Sequence, residues 1–390
     1  MLIFLFLFLL FLFAFLSIIF IVYLIRYYDL KECFLWILSK KQNIKHIKYI
    51  KKIKDIDEIT KILQLTTKGK FIEYHIATPA WYPIISLESC DNELWKEVKQ
   101  NFIFFINEWN KLNKENENKN KKTNYLSMHV EYYIRELINQ NKIIDSIHIS
   151  KITVKSICKY LFDYSLNEFE IDCLYKSSVE WKKEIALKGK GDLAIKKKAI
   201  EIIIKIIRKN PKIYEIFKEK WEDPRYYSVI MQPFIISPMI NIPDILCNVQ
   251  LLLKNKKINI MDEINYTFID RIIYSYHPFP ILERYDIKTD TQYFIPYDSL
   301  LTFDNYDKKT NILVFGNGAR KCAGAHHAYQ IIQPFIELYF EDIRNNRNLF
   351  NPIKNHIYSG RINDGVFNIT ELMYMCYCIC NICNILLFSK

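Results

Sequence analysis

A chain of 390 residues, half of them hydrophobic, can bury a sizeable core and falls outside the disordered class. Its formal charge of +11 comes mostly from lysines scattered among Asn, Ile and Tyr, without an Arg-rich stripe or a recognised binding motif, so no nucleic-acid partner is expected. Ten cysteines in a chain of this length make no dense secreted framework and match no zinc spacing outside the extreme C-terminus, which points to a reducing compartment.

Leu2 to Ile25 carries no charge, and Ser17 is its only clearly polar member. At about 1.5 Å per residue, a helix of this length crosses a hydrocarbon layer about 30 Å thick. A cleaved signal peptide is the competing reading; the length of the run, its missing basic leader and its missing small-residue cleavage site argue against it. Basic residues from Arg26 through Lys31, Lys40, Lys45 and Lys54 follow the span, which places the bulk of a single-pass protein in the cytosol.

The sequence thus divides into an anchor over 1–25, a basic amphipathic linker over 26–60 and a catalytic domain over 61–390. In the linker, Ile44, Ile47, Ile50, Ile53 and Ile56 recur every third residue among lysines, predicting a helix. Such a stripe either rests on anionic membrane lipid or packs on the body. Residues 113–124 (NKENENKNKKTN) are too polar to bury anything and read as a solvated loop between helices.

From about Asn141 to Lys220 the pattern is long, lysine-spaced and helical, as in Asp192 to Lys209. Strand-like pieces are short and late: Gln292 to Ile295 and Asn311 to Val314. The fold class expected is mainly α with small β-sheets.

The segment Phe315-Gly-Asn-Gly318-Ala-Arg320-Lys-Cys322-Ala-Gly324 follows the apolar run Ile312 to Val314 and precedes a helical stretch, Ala325 to Phe340. A cysteine just before a helix N-terminus sits where unpaired N–H groups and the positive end of the dipole favour the thiolate. Gly318 and Gly324 lack the carbon that would hold the backbone away from sulfur and from a flat ring. Arg320 offers a fork that suits a carboxylate. The plainer alternative is a buried cysteine in a glycine turn.

This segment resembles the cysteine loop of cytochrome P450 proteins, F-x-x-G-x-R-x-C-x-G, whose five fixed positions are all matched, with Ala328 matching the family's later alanine. The resemblance implies a cytochrome P450-like fold preceded by one transmembrane helix, with heme b (iron protoporphyrin IX) held by Cys322 as metal ligand. It further implies that Phe315 shields the sulfur and that Arg320 meets a heme propionate. Trp95-Lys-Glu-Val-Lys99 resembles the family's W-x-x-x-R, which implies propionate contacts from Trp95 and Lys99, although Lys lacks the fork of Arg. His277-Pro-Phe-Pro-Ile-Leu-Glu-Arg284 resembles the proline-rich turn after the K helix; Arg284 either meets the other propionate or pairs on the surface with an acid. Leu251-Leu-Leu-Lys-Asn255 resembles the end of the long distal helix.

The sequence also departs from that pattern. Counting back from Leu251 puts the acid–alcohol pair at Met239 and Ile240, neither of which relays a proton, with Ser237 and Asn241 as polar neighbours should the register slip. Pro233, Pro238 and Pro243 argue against a straight distal helix. The buried Glu-x-x-Arg positions are occupied by Arg271 and Tyr274, and the long meander before Phe315 is cut to a short polar link.

The implied activity is a membrane-anchored monooxygenase, placed in the endoplasmic reticulum, that oxidises a small apolar substrate of the lipid, sterol or fatty acid class with dioxygen and a separate electron-donating reductase. Two alternatives remain: a heme-thiolate isomerase or dehydratase acting on pre-oxidised lipids, and a degenerate, non-catalytic heme-binding membrane protein. In the tail, Cys376, Cys378, Cys380 and Cys383 lie in an apolar run that holds a soft metal, carries lipid, or is buried as small hydrophobes.

Overall fold

The computed structural model describes residues 8, 11–17, 45–50, 56–68, 78–120, 125–185, 189–275, 282–295 and 297–351. Taking helices of seven residues or more, the described chain runs β1 (His46–Tyr49), α1 (Ile56–Leu63), α2 (Asn92–Asn120), α3 (Leu126–Asn139), α4 (Ser146–Phe162), α5 (Glu168–Ile185), α6 (Leu193–Lys209) and α7 (Pro211–Phe217). It continues with α8 (Pro224–Ile230), α9 (Ser237–Lys254), α10 (Tyr266–Ser275), β2 (Leu282–Asp286), β3 (Thr291–Ile295) and α11 (Ala325–Arg344). The fold is mainly helical with one small mixed sheet, ordered β1-β3-β2, in which β1 runs parallel and β2 antiparallel to the central β3.

The helix starts are legible in the residues that cap them. The Asp145 carboxylate accepts from the His148 N–H at 2.9 Å, and Asp192 accepts from Ala194 and Ile195. Asn210 and Asp223 cap α7 and α8, each followed by a proline whose missing N–H costs nothing in a first turn. Isoleucines then fill the buried face of α6, with Ile203, Ile206 and Ile207 almost wholly enclosed. At the centre α9 packs against α4, α5, α10 and α11.

Four expectations are corrected. His46–Tyr49 is a strand, not part of a helix: its β-branched and aromatic residues pair in register with β3, His46 opposite Thr291 and Ile47 opposite Gln292, and that long-range pairing overrides the local period of three. With Ile59, Ile62 and Leu63 of α1 buried, the folded body begins inside the segment assigned to a linker.

Residues 113–120 continue α2 rather than forming a loop. A run of Lys, Glu and Asn without Gly or Pro can remain helical when solvated, as the neighbouring Lys111–Glu108 pair at 2.5 Å illustrates. Asn311–Val314 is a 3₁₀ turn over Thr310–Leu313, not a strand. There the Asp307 carboxylate draws in the N–H groups of Lys309 and Thr310 and tightens the chain before it can extend.

The three prolines do not interrupt the distal helix. Helix runs from Pro224 to Lys254 through a π segment at Met231–Ile236 that contains Pro233. A π turn leaves one backbone acceptor unmatched, so a residue without an N–H fits there at little cost. Pro238 falls in the first turn of α9, and Pro243 alone sits in its interior.

Among the described residues, Pro224–Lys254 is the one helix long and apolar enough to cross a membrane, and it is mostly buried in the body. Most of the 1–25 anchor lies outside the described residues; within it, residues 11–17 are helical, with Phe11, Phe13 and Leu16 exposed. The C-terminal cysteines and the turn from His277 to Ile281 also lie outside.

Candidate active site

The Cys322 loop is built from backbone contacts. The Cys322 N–H donates to the Phe315 carbonyl at 2.8 Å, closing the turn that ends at Gly324, directly before α11. Gly318 has φ +70°, and a Cβ there would lie 2.8 Å from the Leu63 carbonyl oxygen. Its glycine is therefore required by α1 packing on the loop, not by approach to sulfur or to a ring. Gly316, also at positive φ (+73°), supplies a second turn that the motif does not specify.

At Gly324 a Cβ would meet only ordinary contacts, 4.0 Å from Cys322 Sγ and 3.9 Å from the Pro233 oxygen. What Gly324 contributes is its N–H, which hydrogen-bonds the sulfur and favours the thiolate. Burial pushes the thiol pKa up, and Glu88 adds to this, whereas Gly324, Lys99 and Lys321 act the other way. Cys322 nonetheless has open surface. Both facts hold because Cys322 lines a cavity of about 250 Å³, whose walls crowd the sulfur while leaving part of it open.

Phe315, Gly324, Trp95, Lys99, Arg284 and Arg320 line the same cavity, so six of the seven expected companions of Cys322 come together; Gly318 supports them from outside it. Arg320 is held from several sides. Its guanidinium meets Asp91 at 2.8 Å and the Cys90 carbonyl at 3.0 Å, donates to the Thr66 carbonyl, and stacks on Trp95 at 4.3 Å. A positive charge is thereby fixed at the cavity edge and partly balanced by Asp91.

Burial pushes the Lys99 pKa down, while the nearby Cys322 sulfur raises it. Arg284 is 3% exposed on β2 and donates to the Glu283 carbonyl at 2.8 Å, so the surface-pairing alternative is set aside. Buried Lys68 adds a further cation to the wall, and no sequence signal marks it.

The opposite wall is the distal helix. Met239 is buried off the cavity, its carbonyl accepting from Ser150 Oγ at 2.9 Å. Ser237 and Asn241, one turn apart, line the cavity, and Ile242 and Ile245 continue its wall beyond them. Neither polar side chain hydrogen-bonds another described residue. The signal that could have found them is their i,i+4 spacing in an otherwise apolar helix.

His327 also lines the cavity, edge-on to Phe234 of the π segment at 5.4 Å, and its Nδ1 has no hydrogen-bond partner. Burial pushes its pKa down from 6.5 to about 4, with His326 acting in the same direction. The unfolded chain then binds a proton that the folded chain refuses between those values. This contribution to stability is complete above pH 6.5 and falls by about 1.4 kcal/mol per pH unit until about pH 4. Thermal melts across that range should show the loss, and His327→Leu should flatten it.

No family model matches the sequence, and no curated protein matches it. Among solved structures the chain is similar to a zebra fish cytochrome P450 with abiraterone, at 12% identity over 76% of this chain and 85% of that one, TM-score 0.46. It is likewise similar to a zebra fish cytochrome P450 with progesterone, at 11% identity over 76% and 86%, TM-score 0.49. A third is the heme domain of cytochrome P450DA, at 11% over 75% and 79%, TM-score 0.46. The chain resembles cytochrome P450 structures. At these identities and TM-scores, the likeness assigns no residue a role.

Proposed function

We propose that this chain is a heme-thiolate monooxygenase that oxidises a small apolar substrate of the lipid, sterol or fatty acid class. The observation that carries the reading is Cys322: a sulfur open only to a cavity, at a helix N-terminus, with the Gly324 N–H on it and cations around the rim. The donors suit heme b. The Cys322 thiolate would hold the iron, Lys99, Arg320 and Arg284 would meet the propionates, and Ile157, Ile242, Ile245 and Ile331 would offer apolar wall to the ring and to a substrate. Heme bound there supplies dioxygen activation, which thiolate electron density favours.

The remaining work belongs to the chain. Gly324 and the α11 terminus favour the ionised sulfur against the effect of burial, and Phe315 covers it. The isoleucines screen the cavity from bulk water, and Ser237 and Asn241 hydrogen-bond a water on the distal wall that carries the proton. Electrons arrive from a separate reductase. The uncharged run Leu2 to Ile25, with basic residues following it, supports a single-pass anchor in the endoplasmic reticulum and a cytosolic catalytic body.

The test is to purify the protein with heme, reduce it and add carbon monoxide. A red-shifted Soret band is expected, and an imidazole-type band or failure to retain heme would overturn the reading. The double variant Ser237→Ala/Asn241→Ala should keep that band and lose product from a medium-chain fatty acid by about 100-fold, with electrons diverted to peroxide.

One observation favours a second reading, an isomerase or dehydratase of pre-oxidised lipids. No carboxylic acid of the distal helix faces the cavity, since Asp244 is turned to Lys182. Turnover of a lipid hydroperoxide without reductase separates it from monooxygenation. The largely apolar cavity wall argues against a degenerate protein without a substrate site.

A further inference from the structure

The Cys322 loop leaves the body at Asn311 and returns to it on α11, and both stems meet one carboxylate. Asp270, 4% exposed on α10, accepts from the Tyr329 hydroxyl of α11, and the Asn311 side chain is close enough to help hold its carboxylate ionised against burial. The Tyr329 ring is stacked on Tyr266 of α10 at 4.5 Å, and its other contact is the Phe315 ring, edge-on at 5.3 Å. Phe315 in turn provides the carbonyl that receives the Cys322 N–H. Asp270 thus joins the residue that enters the loop, the residue that leaves it, and the aromatic that closes it.

We propose that Asp270, through Tyr329 and Asn311, is a positioning residue that sets where Cys322 stands, in place of the missing Glu-x-x-Arg pair; this rests on the heme-thiolate reading. Arg271 and Tyr274, the residues at the Glu-x-x-Arg positions, do other work. Arg271 donates to the Phe303 carbonyl at 3.0 Å and lies over the Phe303 ring at 3.8 Å, while Tyr274 packs edge-on to Tyr306 at 5.3 Å. They hold the shortened meander, and Asp270 holds the loop. A buried carboxylate that accepts from a phenol can tie two elements together without a buried guanidinium, the hydrogen bond offsetting part of the cost of burying it.

The experiment compares wild type, Tyr329→Phe, Asp270→Asn and a control, Asn248→Ala, all full length. Asn248 ties α9 to the other end of α10, donating to the Ile272 carbonyl at 3.2 Å and the Ser275 hydroxyl at 2.9 Å, away from the loop. In the heme-loaded proteins, Tyr329→Phe and Asp270→Asn should shift the ferrous carbon monoxide complex toward the band of a protonated or lost thiolate, and Asn248→Ala should not. In the heme-free proteins, Cys322 alkylation by iodoacetamide, followed by peptide mass spectrometry, should quicken about tenfold in the two loop variants, the equivalent of one strong hydrogen bond.

Should Asp270→Asn fail to fold, Tyr329→Phe carries the test, because the ring and its stacking are kept. Unchanged alkylation in Tyr329→Phe, with a melting temperature lowered as in the control, would reduce Asp270 to a structural part and overturn the proposal. A wild type that binds no heme would sink the heme reading alone, since the alkylation arm reads the clamp without it.

Discussion

Cys322→Ala is expected to abolish the red-shifted carbon monoxide band entirely while leaving the fold intact. The side chain lies outside the apolar core, with its open surface on the cavity wall, so alanine removes few packing contacts. The turn around it is closed by backbone, from the Cys322 N–H to the Phe315 carbonyl, and alanine keeps that bond. What disappears is the sulfur proposed to donate electron density to iron, so the proposed oxidation should fall to background. Optical spectra of the reduced, carbon monoxide-treated variant, beside a melting curve that matches wild type, check both halves. A retained thiolate-type band would mean that a different cysteine holds the metal.

The largest loss of stability is expected from Asp244→Ala, about 3–5 kcal/mol, because it strands a buried ammonium. Lys182 of α5 and Asp244 of α9 meet at 2.7 Å with side chains 6% and 8% exposed. Removing one charge leaves the other without its counterion in a medium that solvates it poorly. The double variant Lys182→Met/Asp244→Leu, which replaces the pair by apolar groups of similar size, should recover most of the loss. Urea denaturation of the three variants measures this. A single variant within about 1 kcal/mol of wild type would mean that water reaches the pair. The effect bears on the site, because α9 also carries Asn241, Ile242 and Ile245 along the cavity wall.

The cysteine loop was readable because its requirements are local. A turn closed from Cys322 to Phe315, a glycine at positive φ and a helix start at Ala325 are set by neighbours in the chain. The reason for Gly318 was not readable, because the Leu63 carbonyl that forbids a Cβ there comes from a helix about 250 residues earlier. Ser237 and Asn241 were visible as residues but not as a site. Counting back from Leu251 lands on Met239 within the same regular helix, but which face of that helix meets the cavity is set by its packing on α4 and α11, and that packing turns Met239 away and Ser237 and Asn241 inward. Asp270 was passed over for a similar reason, since it stands one position from where a Glu-x-x-Arg pair was sought.

By itself the amino-acid sequence determined the helical class, the caps that start the helices, and the placing of the Cys322 thiol just before a helix N-terminus, because each depends on contacts within a few residues. Only the tertiary structure decided which face of the distal helix meets the cavity, why His46–Tyr49 extends instead of coiling, and which carboxylate clamps the loop. Those outcomes turn on partners distant in the chain, from Asp270 and Tyr329, 59 residues apart, to His46 and Thr291 in separate halves of it, where pairing energy and burial outweigh local preference.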